Sequence, residues 1–206
     1  MINYIGDLSK KDAIVLRDYA ENGLDILEFG SGASTQIFAA YGNSRIISLD
    51  TSKEWIQRTK ENIKLIGSNN KVYFFDYADV YFNRTPIPYS SFDFIFVDGN
   101  GALRREFAFQ YWLLLEVGGT MAFHDTRRER DIDNVMRLLA HYALEIKKVE
   151  FNKDNSNITI IEKGNRLEYE DWNVAEGKKK WQIGTGLEPV NMEEFNRLQN
   201  NSGKLT

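Results

Sequence analysis

The sequence predicts an α/β protein built on a doubly wound, mostly parallel seven-stranded sheet that ends in an antiparallel hairpin, with helices on both faces. Three observations carry this expectation. Short apolar runs alternate with amphipathic helical stretches from Ile26 to Phe123, as strands joined by crossover helices do. Four of those runs end in a carboxylate or a His–Asp pair. The last two strand candidates are separated by only the six residues Asn152 to Asn157, too few for a crossover helix, so they pair antiparallel.

Each element follows in order. A helix starts at a Ser9 cap and runs through Ala13, Leu16 and Ala20 to Gly23. Ile26, Leu27 and Phe29 form the first strand. Gly30 and Gly32 come next, where the backbone must turn sharply and admit a ligand without a Cβ in the way. Ser34 and Thr35 open a helix whose Ile37, Phe38, Ala40 and Tyr41 can face the sheet, and Gly42 stops it. Together these make a Rossmann-like strand, glycine loop and helix.

Arg45 to Leu49 is the second strand and ends in Asp50, after which Thr51 and Glu54 supply a capping box for a helix carrying Trp55, Ile56, Ile63 and Ile66. Lys71 to Phe75 is the third, ending in Asp76 and followed by Tyr77 and Ala78; Phe92 to Val97 is the fourth, ending in Asp98. Leu103, Phe107, Tyr111, Leu114 and Leu115 mark a further helix, Gly119 to Phe123 the fifth strand, ending in His124 and Asp125, and Ile132, Val135, Met136, Leu139 and Tyr142 the last helix. Lys148 to Phe151 and Ile158 to Glu162 close the sheet as the hairpin.

In an open parallel sheet, ligands bind beyond the carboxyl ends of the strands, so these polar tips should converge on one crevice. Asp50 stands about 20 residues beyond the glycine loop, where one carboxylate accepts from both hydroxyls of a ribose. A dinucleotide loop has a third glycine that lets a pyrophosphate sit on the helix N-terminus; here that position is Thr35. Glu28, beside the loop, favours a ligand with a cationic group over one with two phosphates. S-adenosylmethionine (SAM) is such a ligand.

LEFGSGAST, SLDTSKEW, FDFIFVDGN and LLLEVGGTMAFHDT, with the terminal hairpin, resemble the class I SAM-dependent methyltransferases, and more narrowly their small-molecule O-methyltransferase-like branch. The resemblance covers Ser9 to Lys163. It implies that Glu28, Gly30, Ser31 and Gly32 lie along the methionine part of the cofactor. Asp50 with Thr51 would hold the ribose, Asp76 with Tyr77 would sit near the adenine, and Asp98 would border both cofactor and substrate. In metal-using relatives the acids ending strands four and five bind a divalent cation such as Mg²⁺, here Asp98 and Asp125. Such relatives continue Asp-Gly with another Asp and a His, whereas this chain has Asn100 and Gly101, so no metal ligand is assigned.

Methyl transfer to a hydroxyl needs alignment and a base. His124 is the candidate base, with Asp125 orienting it and Asp98 beside the substrate. His141, the other histidine, falls on a helix surface and reads as structural.

The 206 residues suit one domain, residues 1–164, followed by a polar extension, 165–206, that packs on the domain, forms a lid or mediates self-association into a homo-oligomer. A formal charge of −4 argues against nucleic acid as a partner, leaving a small molecule as the substrate. With no cysteine there is no thiolate nucleophile or zinc-thiolate site. No apolar run is long enough for a membrane span and there is no signal peptide, so a cytoplasmic location is expected. The clusters Arg127 to Arg130 and Lys178 to Lys180 read as solvated faces, the first adjoining the crevice. Two alternatives to a methyltransferase stand: a SAM-binding or S-adenosylhomocysteine (SAH)-binding protein without catalysis, and an NAD(P)-dependent oxidoreductase, which the missing third glycine disfavours.

Overall fold

In the computed structural model, which describes residues 6–41, 45–68, 70–82 and 91–165, strands and helices alternate along the chain. They are α1 (Lys10–Ala20), β1 (Asp25–Phe29), α2 (Ala33–Tyr41), β2 (Arg45–Asp50), α3 (Lys53–Ile66), β3 (Val72–Asp76) and α4 (Tyr77–Phe82). There follow β4 (Phe92–Val97), α5 (Arg104–Trp112), β5 (Leu115–Phe123), α6 (Glu129–His141), β6 (Ile146–Glu150) and β7 (Thr159–Lys163). The sheet order is β3-β2-β1-β4-β5-β7-β6. The first five strands run parallel, and β7 lies antiparallel to both β5 and β6. The expected hairpin thus forms, with β7 inserted between β5 and β6.

Successive residues of the central strands feed opposite cores, because side chains alternate across a sheet. Leu27, Phe29, Ile95 and Val97 pack with Phe107 and Tyr111 of α5 and Val135 and Leu138 of α6. Ile26, Phe94 and Phe96 pack on the other side with Leu16 of α1 and Ile37 and Phe38 of α2. Both faces are covered, which is why these strands read as unbroken apolar runs.

Some details depart from expectation. The α3 cap is Ser52, whose side chain accepts from Trp55 N, one residue later than the expected Thr51. Leu115 belongs to β5 and pairs with Phe92, while α5 stops at Trp112. The β4–β5 register breaks after that pair, so Glu116 to Gly119 form an irregular insertion that hid the start of the strand. Met136 is exposed, not part of the apolar face of α6. Gly42, residues 83–90 before the fourth strand and the extension from Arg166 onward lie outside the described residues. Among the described residues no helix is long and apolar enough to cross a membrane.

Candidate functional site

The strand order reverses between β1 and β4, and the loops leaving these two strands diverge there. A cavity of about 650 Å³ opens at this point, lined by Gly30, Ser31, Gly32, Asp50, Thr51, Trp55, Asp98 and Asn100, with Gly6 to Leu8 of the N-terminal segment as a wall. The carboxyl ends of three strands therefore meet on one hollow, as the sequence pattern required.

The glycine loop is held by its own protein partners. Ser31 N donates to Asp50 Oδ2 at 2.7 Å, and Gly32 N donates to Thr35 Oγ1 at 2.9 Å. These are two of the N–H groups that a phosphate could otherwise use. Ser52 N donates to Asp50 Oδ1, also at 2.7 Å. Burial pushes the Asp50 carboxyl above its ordinary range despite these bonds.

Glu28 points away from the cavity and is fully buried. Its carboxyl accepts from the hydroxyls of Ser34, Thr35 and Ser48, tying β1, α2 and β2 together under the loop. Burial, the largest influence, outweighs these hydroxyls and pushes its pKa up to about 8. It shapes the loop from beneath instead of facing a ligand.

A second cluster lies behind Asp98. His124 is 2% exposed, with Nδ1 2.9 Å from Asp98 Oδ1 and Nε2 3.4 Å from Asp12 Oδ2. Burial works to lower its pKa, but the Asp98 hydrogen bond and the charges of Asp98, Asp125 and Asp12 raise it to about 9. The buried guanidinium of Arg104 reaches Asp98 Oδ1 at 2.9 Å, Asp125 Oδ2 at 3.3 Å and Asp131 Oδ1 at 3.2 Å. Asp98 itself lines the cavity, and its Oδ2 accepts from no described residue.

No family model matches the chain, and no curated protein does. Its architecture does match solved structures. An O-methyltransferase from Bacillus cereus in complex with SAH aligns with TM-score 0.63 and 18% identity over 77% of this chain and 83% of that one. An O-methyltransferase from Streptomyces achromogenes involved in tomaymycin synthesis, in complex with SAM, aligns with TM-score 0.60 and 14% identity over 77% and 82%. An SAH-bound methyltransferase from Podospora anserina aligns with TM-score 0.57 and 18% identity over 76% and 80%. The fold is that of the class I methyltransferases.

Within this methyltransferase fold, Gly30, Ser31, Gly32, Asp50, Thr51 and Asp98 come together on the cavity as expected. Five expected residues do not, Glu28 beneath the loop being the first. Tyr77 is 1% exposed and packs against Phe29, Phe107 and Tyr81, so it is core. Asp76, the in-register neighbour of Asp50, is not part of the cavity lining; it pairs with Lys53 at 3.4 Å and accepts from Ala78 N. His124 is buried, absent from the cavity lining and faced by a carboxylate at each ring nitrogen, which favours its protonated form over that of a base. Asp125 does not orient His124, whose Nδ1 is 3.8 Å from it but 2.9 Å from Asp98; it instead bonds Arg128, Arg104 and Asn157. The Arg127 to Arg130 cluster is likewise engaged: Arg127 with Ser156 and Asn155, Arg128 with Asp125, and Arg130 with Asp131.

Arg104, Asp12 and Asp131 were not foreseen. Arg104 carried a readable signal: it is the first residue of α5, where a cation opposes the helix dipole and implies a compensating partner. Asp12 completes the capping box with Ser9, and its other bonds, to Asn157 N and toward His124, are long-range. Asp98, His124 and Asp125 each offer a ligand atom within 4.8 Å of the others, a spacing that could suit a metal ion. The donor set does not fit one, because Arg104 already occupies the neutralising position between the two acids.

Glu28 and His124 set a pH dependence with one sign. The folded pKa of each lies above its ordinary value, about 8 against 4.5 and about 9 against 6.5, so the native state keeps a proton that the unfolded chain has released. Stability is then fully present below the unfolded values and lost as pH rises through the folded ones. Thermal unfolding is expected to show Tm falling from about pH 5 to about pH 9, with a total loss on the order of a few kcal/mol. Glu28→Gln should flatten the lower part of that slope. A wild-type Tm that rises across this window would contradict the burial of Glu28 and the pairing of His124 with carboxylates.

Proposed function

We propose that the protein is a SAM-dependent methyltransferase acting on a hydroxyl of a small-molecule acceptor. The observation that carries this reading is the loop chemistry: the N–H groups of Ser31 and Gly32 are engaged by Asp50 and Thr35, and the cavity presents the Asp50 and Asp98 carboxylates, which suit ribose hydroxyls and a cationic group better than phosphates. The fold neighbours bound to SAH or SAM support it.

Each Asp50 oxygen accepts one N–H and keeps a lone pair, so the carboxylate can also receive the two ribose hydroxyls. Trp55, which projects from α3 at 38% exposure beside Asp50, gives a flat wall for the adenine. Gly30 to Gly32 and Asp98 border the methionine end. SAM supplies an electrophilic methyl on a sulfonium. Asp98 offers a carboxylate near that positive charge, and its Oδ2 takes the proton that the acceptor hydroxyl loses. Burial raises the Asp98 carboxyl, which makes it a better base than an exposed aspartate.

Thermal-shift scans test this. SAM and SAH should raise Tm, and NAD and NADP should not, because only a ligand of the folded state stabilises it by mass action. Asp50→Ala should weaken SAH binding at least about tenfold, the value of one or two lost charge-assisted hydrogen bonds. Stabilisation by NAD alone overturns the reading.

A further inference from the structure

We propose that Arg104 is a built-in cation that does the work a divalent metal does in metal-using relatives, so that the strand-end acids are neutralised and held without any metal ion. The inference takes the methyl-donor reading of the cavity as given, but its geometry stands apart from it. The Arg104 side chain is 7% exposed and every part of the guanidinium is used. Nε donates to Gly99 O at 2.9 Å. Nη2 donates to Asp98 O at 2.6 Å and to Asp98 Oδ1 at 2.9 Å, and also approaches Asp125 Oδ2 at 3.3 Å. Nη1 lies 3.2 Å from Asp131 Oδ1 and 3.4 Å from His124 O.

A single planar fork thus bridges the ends of β4 and β5 and the first turn of α6. A divalent cation between Asp98 and Asp125 would sit against a positive charge already within 3.3 Å of both carboxylates. The remaining charges are balanced as well. Arg128 binds Asp125 Oδ2 at 2.6 Å, Arg130 reaches Asp131 at 3.2 Å, and His124 lies between Asp98 and Asp12. A hard cation needs several oxygen ligands with no competing donor, and here N–H groups hold Asp98 Oδ1 and both Asp125 oxygens. Arg104 is a positioning residue: it holds Asp98 through O and Oδ1 and leaves Oδ2 without a partner among the described residues.

Mn²⁺ paramagnetic resonance and thermal unfolding, both with and without SAH, test the proposal on three proteins. The wild type should leave the free-Mn²⁺ signal unchanged, and EDTA should alter neither its Tm nor its SAH shift. Arg104→Ala should lower Tm by about 10 °C, since buried carboxylates lose their partner, and Mn²⁺ should then bind and restore part of the loss. Arg104→Lys, which keeps the charge, should stay blind to Mn²⁺ and recover part of the Tm. A Mn²⁺ ion bound by the wild type overturns the proposal, as does an alanine variant as stable as the wild type. If the alanine variant does not fold, the wild-type and lysine spectra decide alone, and bound Mn²⁺ in either overturns it. Absence of an SAH shift in the wild type would sink the methyl-donor reading and leave these metal outcomes interpretable.

Discussion

Gly30→Ala is expected to lower Tm by about 10 °C and abolish stabilisation by SAH, because two penalties add at one atom. Gly30 has φ +106°, a conformation that L side chains rarely adopt. A Cβ there would lie 2.7 Å from Gly99 N and 2.9 Å from Gly99 Cα, and both neighbours are backbone that cannot swing aside. The close approach has a purpose. Phe29 O accepts from Asp98 N at 2.8 Å and from Gly99 N at 2.6 Å, and Gly30 N donates to Leu49 O, so the loops after β1 and β4 are stitched together at the mouth of the cavity. Forcing them apart displaces Asp98 along with the glycine loop. Gly101→Ala is the control, since its Cβ would meet only the tip of the Arg130 side chain, which can move; its Tm should stay within about 3 °C of wild type. Equal effects of the two substitutions, measured by thermal unfolding with and without SAH, would refute this account of the loop contact.

Asp98→Asn is expected to reduce kcat by about a hundredfold or more while SAH binding changes little. The amide keeps the shape and an oxygen to accept from Arg104 and His124, but it has no carboxylate to take a proton. The pH profile distinguishes this role from simple tethering. The wild type should show an acidic limb in kcat/KM set by the Asp98 carboxyl, which burial raises, and the asparagine variant should lack it. A variant with undiminished turnover, or one that loses SAH binding and turnover in step, would remove Asp98 as the base. His124→Gln provides a second check: a buried group that faces Asp98, Asp12, Asp125 and the core should affect Tm before it affects chemistry.

Why could the glycine loop, Asp50 and Asp98 be read from the chain, while Arg104 and the true surroundings of His124 could not? Strand ends are local features. An apolar run of five or six residues followed by an acid fixes where that acid lies relative to its own strand, and parallel pairing then brings such ends to one edge. The hydrogen-bond partner of a strand-end side chain is not local. His124 and Asp98 are 26 positions apart, and His124 and Asp12 are 112 apart, so their meeting depends on how α1 docks over the sheet. Glu28 illustrates the same division. Its place before the first glycine was evident, but its direction, down toward Ser48 and the start of α2, follows from side-chain alternation against a neighbouring strand.

The sequence by itself determined the alternating architecture, the antiparallel closure and the set of polar tips, because period, spacing and turn residues act over a few positions at a time. Tertiary structure alone decided which of those tips face the cavity and which are sealed behind it. It also decided that a buried arginine would be the cation among the strand-end acids. Burial and charge pairing depend on distances in space between residues far apart along the chain, and these determine whether His124 opens on the cavity or is paired with carboxylates behind it.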